Sequence, residues 1–193
     1  IMEIFRRAKN ENKDVARVHT GDPSLFSSVA EQTRRLDELE IEWEVVPGVS
    51  SFSAGAAALK QELTLPELSQ TVIITRMEGR TPVPEGEKLK DLAKHGATMA
   101  LFLSANLIGK IVSDLKEIYP EDYPVSVVQK ASWKDQKIIR GTLGTIETQM
   151  KAEKINSTAI IYIGKVLGNK AFNDSRLYAK DFTHKFRRGV KCE

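Results

Sequence analysis

The chain has 193 residues, of which 41% are hydrophobic and 28% are charged, as in ordinary globular proteins. No apolar run reaches the ~18–20 residues that a bilayer span requires, and a single cysteine excludes an internal disulfide. The net charge of +3 lacks the concentrated basic stripe of nucleic-acid-binding proteins. We therefore expect a cytoplasmic protein whose partner is neither a membrane nor a nucleic acid.

The first third of the chain alternates between helix and strand patterns. Residues 1–12 are compatible with a helix, and residues 15–19 form a short apolar strand pattern. Helical periodicity runs from residue 25 to 39, a second strand pattern covers 42–46, and a helix rich in small residues covers 50–59. Alternation of this kind predicts a parallel sheet covered by helices.

A polar passage over residues 61–70 separates this region from a second run of elements. Buried-strand patterns follow at 72–75, 99–103, 125–128, 137–140 and 159–163, with helices at 85–94 and 106–118. The region after residue 168 is basic and irregular. These patterns predict a second α/β unit followed by a tail.

Thr20-Gly21-Asp22-Pro23 stands where the first predicted strand gives way to a helix. In open parallel sheets, ligands collect at the carboxyl ends of the strands. Gly21 has no Cβ and lets a ligand approach the main chain, whereas Asp22 can cap the helix or accept hydrogen bonds from a ligand. The alternative is a plain turn with a capping aspartate.

The segment Pro47-Gly48-Val49-Ser50-Ser51 repeats this pattern at the end of the second predicted strand. Two hydroxyl residues at the start of a helix are usually caps. Two glycine-containing turns after successive strands, however, are expected to flank one crevice. The pair of turns therefore predicts a ligand site.

A polar loop over residues 75–84 carries Arg76, Arg80 and two prolines. Guanidinium groups bind carboxylates through two parallel hydrogen bonds, so the loop is a candidate site for an acidic substrate. A solvated loop is the alternative interpretation. A second basic neighbourhood contains Lys130, Lys134, Lys137 and Arg140.

The sequence does not indicate hydrolytic or metal-dependent chemistry. His19, His95 and His184 lie far apart, and Cys192 is almost terminal, so no zinc-ligand spacing occurs. The sequence also contains no nucleophile elbow, Walker loop or zincin motif. We expect no bound metal.

The two glycine-containing turns resemble those of the tetrapyrrole methylase family. The resemblance rests on Val-His-Thr-Gly-Asp-Pro-Ser-Leu-Phe at 18–26, Val-Val-Pro-Gly-Val-Ser-Ser at 45–51 and the alanine-rich helix that follows. The loop at 75–84 and Phe-Thr-His-Lys-Phe-Arg-Arg-Gly-Val at 182–190 are similar to the branch that methylates carbon 11 of precorrin-4, a cobalamin precursor. The resemblance covers essentially the whole chain.

The resemblance implies a two-domain α/β fold. Its parts are a parallel-sheet N-terminal domain, apparently truncated, over residues 1–66, a mixed-sheet C-terminal domain over 67–167 and a basic tail over 168–193. It also implies a homodimer, S-adenosyl-L-methionine as cofactor and S-adenosyl-L-homocysteine as its product, bound in the cleft between the domains. The implied substrate is an acidic tetrapyrrole, with or without cobalt.

Position in the family's motifs also implies which residues hold each ligand. The implied cofactor residues are Thr20, Gly21, Asp22, Leu25, Ser50, Ser51, Ser104 and Ala131. The implied substrate residues are Arg76 and Arg80. No general base is implied, because methyl transfer from a sulfonium depends mainly on alignment of the two reactants.

The sequence departs from the family in two ways. Family members open with a strand and a Gly-x-Gly-Pro-Gly-Asp-type loop beside the substrate, whereas this sequence opens at Ile1 without one. We therefore expect the natural protein to begin earlier, by a βαβ-sized piece of about 30 residues or more. Ser27 also stands where the family often has glycine.

Three alternatives stay open at this point. The first is a sister methylase that acts at another ring position, on diphthamide or on ribosomal RNA, which the loop at 75–84 disfavours. The second is a cofactor-binding module without activity, because the opening loop is missing. The third is an RNA-binding domain, which the weak net charge and the aromatic content of 7% disfavour.

Overall fold

The computed structural model describes residues 1–168 and 179–188. The chain divides into two compact units, residues 1–54 and residues 55–193. The division lies within the helix Ser51–Leu59, and the domain boundary expected after residue 66 stays a prediction. Part of the expected tail, residues 169–178 and 189–193, lies outside the described residues.

The first unit contains two complete helices and the start of a third. They are α1 at Met2–Asn10, α2 at Val29–Glu38 and α3 at Ser51–Leu59. The Nζ of Lys9 on α1 donates to the carbonyl oxygens of Leu39 and Glu40, at 2.6 and 3.1 Å. These bonds supply partners to carbonyl groups just beyond the end of α2 and hold the two helices together.

Helix α2 is shorter than the periodicity predicted, because it begins at Val29 rather than at residue 25. Phe26 and Ser28 have φ angles of 53° and 56°, in the left-handed region and outside the helical one. The segment before α2 therefore stays a compact turn. Within it, the Ser27 hydroxyl donates to the carbonyl oxygen of Pro23.

The two strands predicted in the first unit, at residues 15–19 and 42–46, are wrong. Residues 1–54 are all described and contain no strand. Val18 and Val46, which the pattern placed in a covered sheet, are 78% and 70% exposed. A strand is defined by hydrogen bonds to a neighbouring strand, and an apolar run without that neighbour forms no ladder.

In the described part of the second unit, five strands form one mixed sheet. They are β1 at Val72–Arg76, β2 at Thr98–Phe102, β3 at Pro124–Gln129, β4 at Lys137–Thr142 and β5 at Ala159–Ile163, in the order β1-β2-β5-β3-β4. β1 and β2 are parallel, with Ile74 opposite Ala100, and the other neighbours are antiparallel. The predicted strands and the mixed sheet of this unit are confirmed.

Between its strands in the chain lie α4 at Leu89–Ala93, α5 at Ile108–Lys116 and α6 at Ile146–Ala152. Ile111, Leu115, Ile146 and Met150 are almost fully buried and pack in one core with the strands. Each such side chain contributes about 1.5–3 kcal/mol through removal from water. α4 begins later than residue 85, because Gly86 has a left-handed φ of 87°.

Helix α3 meets the sheet through a glycine. A Cβ added at Gly55 would lie 2.2 Å from the hydroxyl oxygen of Tyr162, a fully buried side chain on β5. Burial raises the pKa of Tyr162, so its phenol stays neutral. The small-residue helix predicted to pack closely on a sheet is confirmed at this position.

The strand directions bring several loops to one end of the sheet. β2 and β3 are both antiparallel to β5, so β1, β2 and β3 run in the same direction. Met77, Ser104 and Ala131 follow these strands closely and lie at this end, which we call the carboxyl end of the sheet.

In the described part of the chain, no helix has the length and apolar character of a membrane span.

Candidate cofactor and substrate site

The first glycine-containing turn is built by Gly21, Asp22 and Ser24. Gly21 has a φ of 71°, a conformation that costs glycine little and other residues more. One carboxylate oxygen of Asp22, Oδ1, accepts the backbone amide of Ser24 at 2.8 Å and also accepts the Ser24 hydroxyl. The side chain therefore fixes the main chain that follows it. Thr20 and Gly21 are exposed, and Leu25 is half-buried.

The second turn leads into helix α3. Ser50 is buried, and its carbonyl oxygen accepts the amides of Ser53 and Ala54, both at 3.0 Å. Ser50 is thus the residue from which α3 is initiated, and Ser51 is the first helical residue. Any movement of this turn moves the first turn of the helix.

The two turns touch each other. The second carboxylate oxygen of Asp22, Oδ2, accepts the backbone amide of Gly48 at 2.9 Å. A Cβ added at Gly48 would lie 2.1 Å from the carbonyl oxygen of Gly21, and one added at Gly21 would lie 3.8 Å from Ser50 Cα and Ser51 N. The two turns therefore adjoin, and bare main chain meets bare main chain where they do. That they flank a ligand crevice stays a prediction.

The turns also carry a fixed negative charge. Hydrogen bonds from the Ser24 hydroxyl, from the Gly48 amide and from the Ser24 amide lower the pKa of Asp22, against a smaller opposing effect of burial. These donors stabilise the ionised carboxylate more than the neutral acid. Asp22 is therefore a carboxylate at neutral pH.

In the second unit, Ser104 fastens two strand ends together at the carboxyl end of the sheet. Its side chain is fully buried, and its hydroxyl accepts the Met77 amide at 2.8 Å and donates to the Phe102 carbonyl at 2.6 Å. The hydroxyl predicted to touch the cofactor is thus bonded to the protein on both its donor and acceptor sides. Ala131 is half-buried, and the preceding amide, of Lys130, donates to Thr158 at 2.8 Å.

Four of the eleven non-glycine residues with left-handed backbones in the described part of the chain lie at the same end. Leu103, Lys130, Ser132 and Thr158 have φ angles of 53°, 51°, 70° and 51°. Such conformations cost on the order of 1 kcal/mol or more and concentrate at functional sites. Leu103 is also 69% exposed, although it directly follows a buried strand. The sequence pattern placed Leu103 inside the strand and did not predict its exposed, left-handed conformation, because a single apolar residue does not indicate such a backbone.

The two arginines of the 75–84 loop are placed differently. The guanidinium of Arg76 donates from Nη1 to the Thr81 carbonyl at 3.1 Å and from Nη2 to the Pro82 carbonyl at 2.6 Å. Arg76 therefore braces the loop, whereas Arg80 is exposed on it. Met77, at the start of the loop, is buried and is pinned by Ser104.

The second basic neighbourhood is largely engaged within the protein. Lys130 pairs with Asp135, and Lys137 pairs with Glu153 at 2.9 Å. The guanidinium of Arg140 donates to the carbonyl oxygen of Leu59 at 2.7 Å, near the end of α3. This neighbourhood therefore offers less cationic charge to a ligand than its composition indicated. Among the described residues, no group of three or more His, Cys, Asp or Glu side chains is arranged to hold a metal ion.

One protein family matches most of this chain. The model of the tetrapyrrole (corrin/porphyrin) methylases matches residues 1–147. The chain belongs to this family. The resemblance to this family and the α/β fold class are thereby confirmed, whereas the parallel sheet implied for the N-terminal domain is not found in residues 1–54.

The relatives of this methylase are similar over most of its length. The chain is 52% identical to the cobalt-precorrin-4 C(11)-methyltransferase of Methanocaldococcus jannaschii, over 99% of this chain and 74% of that protein. It is 49% identical to the precorrin-4 C(11)-methyltransferase of Pseudomonas aeruginosa, over 98% of this chain and 76% of that protein.

The fold of this methylase is similar to that of a cobalt-precorrin-4 methyltransferase solved by X-ray crystallography. The two share a TM-score of 0.83 and 47% identity, over 86% of this chain and 70% of the solved one.

Proposed function

We propose that this methylase transfers a methyl group from S-adenosyl-L-methionine to carbon 11 of precorrin-4 or cobalt-precorrin-4, in the biosynthesis of cobalamin. The printed activities of relatives near 50% identity support this reaction. The structural observation that carries the proposal is the junction of the two glycine-containing turns, where Asp22 joins Gly48. The exposed main chain of Gly21 at that junction supports placing an adenosyl group there.

The cofactor residues proposed in the first unit fit such a ligand. Thr20 and Gly21 are exposed at the junction, with Leu25, Ser50 and Ser51 on the same two turns. A Cβ at Gly21 would enter the space beside Ser50 and Ser51, so glycine keeps that space open. The exposed residues Thr20 and Gly21 offer a hydroxyl-bearing side chain and bare main chain to the polar groups of a ribose or an amino acid. In the second unit, Ser104 and Ala131 stay predicted cofactor contacts.

The chemistry asks the protein for alignment rather than for acid–base catalysis. When bound, the cofactor supplies an activated methyl group on a sulfonium. The residues of the two turns hold and orient the donor. Alignment of two reactants contributes on the order of 7–11 kcal/mol, so no dedicated base is required.

Arg80 and Arg76 are the proposed substrate residues. A tetrapyrrole of this pathway carries acidic side chains, and a guanidinium binds a carboxylate through two parallel bonds. Arg80 is exposed on the loop, and Arg76 uses two of its five N–H donors on the loop carbonyls. We assign direct carboxylate contact chiefly to Arg80, and we assign to Arg76 both loop support and a further contact. A homodimer in the cytoplasm is also part of this proposal.

A product measurement tests the reaction. The full chain is incubated with precorrin-4 or cobalt-precorrin-4 and ¹³C-methyl-labelled cofactor, and the product is analysed by mass spectrometry and ¹³C NMR. One added methyl group at carbon 11 is the expected result. A label at another ring carbon would assign the chain to a sister methylase. Binding of S-adenosyl-L-homocysteine without methyl transfer would identify the chain as a cofactor-binding module.

A further inference from the structure

We propose that Asp22 is a positioning residue: by accepting the Gly48 amide, it sets the distance between the two glycine-containing turns and so gives the cofactor site its shape. This inference rests on the proposed function. It assigns Asp22 a task different from direct contact with the ligand. We call the Asp22–Gly48 pair the turn latch.

The hydrogen bonds of Asp22 are divided between the two turns. Oδ1 is engaged by Ser24, on the first turn, through both its amide and its hydroxyl. Oδ2 is engaged by the amide of Gly48, which lies 26 residues later in the chain. A hydrogen bond to an ionised carboxylate is roughly twice as strong as one between neutral groups. Asp22 thus ties the second turn to a main chain that its other oxygen has already fixed.

Gly48 shows how closely the latch draws the turns together. A Cβ there would lie 2.1 Å from the Gly21 oxygen, 3.1 Å from the Gly21 carbonyl carbon and 3.4 Å from Asp22 Cα. These neighbours are backbone atoms, which cannot rotate away as a flexible side chain does. The φ of Gly48 lies outside the left-handed region, so close approach, rather than backbone conformation, requires glycine at this position.

The latch acts on the proposed cofactor contacts through a short piece of chain. Gly48 is followed after one residue by Ser50, whose carbonyl begins α3, and by Ser51. Releasing Gly48 therefore lets both serines move relative to Gly21. Displacements of about 1 Å in positioning groups can lower affinity and rate strongly.

Two single variants and their combination test the latch. Asp22→Ala removes the acceptor, and Gly48→Ala forces the turns apart without touching the carboxylate. Each is expected to weaken S-adenosyl-L-homocysteine binding, measured by isothermal titration calorimetry, by about tenfold or more, the loss typical of a hydrogen bond to a charged group. The double variant is expected to bind S-adenosyl-L-homocysteine no more weakly than the single variant with the lower affinity. Both changes break the turn latch, so their effects should not add.

Ser24→Ala is the matched control, since it removes one hydroxyl but keeps the Ser24 amide and the Gly48 bond. It is expected to weaken binding by less than about threefold. Additive losses in the double variant would overturn the latch and return Asp22 to direct ligand contact. If Asp22→Ala fails to fold, Gly48→Ala alone provides the test. An affinity for S-adenosyl-L-homocysteine equal to that of the wild type in Gly48→Ala would overturn the turn latch. Absence of binding by the unmodified chain, by contrast, would count against the proposed function itself.

Discussion

At the scale of single residues, two glycines allow close approaches that a larger side chain would prevent, and one aspartate accepts hydrogen bonds that favour its ionised form. A Cβ at Gly48 would lie 2.1 Å from a backbone carbonyl oxygen, and a Cβ at Gly55 would lie 2.2 Å from the hydroxyl oxygen of Tyr162. Asp22 needs its charge, because all three donors that reach it stabilise the ionised form.

Acid should remove the contribution of Asp22 to stability. Its pKa is lowered in the folded chain, first by the Ser24 hydroxyl and then by the Gly48 amide. The contribution is therefore present above the unfolded pKa of about 3.9 and is lost as the pH falls through the lower folded value. We expect the difference in melting temperature between the wild type and Asp22→Ala to be constant near neutrality and to shrink below about pH 4. A difference that grows on acidification would contradict this.

Substitution of Gly55 should destabilise the second unit. Besides the Tyr162 hydroxyl at 2.2 Å, the added Cβ would meet Ile160 Cγ2 at 2.8 Å. Overpacking of a buried contact costs about 1–3 kcal/mol, so Gly55→Ala should lower the free energy of unfolding in urea by that amount. Tyr162→Phe in the same chain should recover part of the loss. Gly79→Ala, whose Cβ would meet only Leu107 at 3.4 Å, is the control.

At the scale of elements, the strand ends matter more than the strands. Ser104 joins the end of β2 to Met77 after β1, and Arg76 closes the loop that Met77 begins. The loop that carries Arg80 is thus held at its start and near its end. A braced loop presents its cation at a smaller entropic cost than a mobile one.

Arginine variants of this loop should affect the substrate and spare the cofactor. Arg80→Ala and Arg76→Ala are each expected to raise the KM for the tetrapyrrole about tenfold or more, with unchanged S-adenosyl-L-homocysteine affinity. Arg80→Lys should recover part of the loss because it keeps the charge. Arg76→Lys should not, because one ammonium group cannot span the carbonyls of Thr81 and Pro82 as the guanidinium does. Equal loss of both affinities would refute the assignment.

At the scale of the whole molecule, the two units differ in how they reach order. The described part of the second unit has a five-stranded sheet around one hydrophobic core. The first unit has helices and turns joined by side-chain bonds such as those of Lys9 and Asp22. Ligand binding to the turns should therefore be visible as added stability of the folded chain.

Saturation with S-adenosyl-L-homocysteine should raise the melting temperature. A ligand at about one hundred times its Kd stabilises the folded state by about 2.7 kcal/mol if it does not bind the unfolded chain. The shift is expected to follow the logarithm of ligand concentration in differential scanning fluorimetry. ATP at the same concentration is the control and should give no comparable shift. An unchanged melting temperature at a saturating concentration of S-adenosyl-L-homocysteine would contradict the proposed cofactor site.

The sequence by itself determined what local patterns encode. Each strand of the mixed sheet is predicted by its run of β-branched and aliphatic residues. Gly21 and Gly48 indicate the two turns. Periodicity did not reveal α6, a helix of only seven residues. The two strands expected in the first unit were wrong, since a ladder requires a partner that lies elsewhere in the fold.

Only the tertiary structure decided how the candidate site is assembled. It joined Asp22 to Gly48, buried Ser104 between two strand ends, turned Arg76 onto its own loop and left Leu103 exposed in a left-handed conformation. The first two of these outcomes depend on contacts between residues that are distant in the chain. Composition and spacing report which groups are present, whereas distance and burial fix what each group binds.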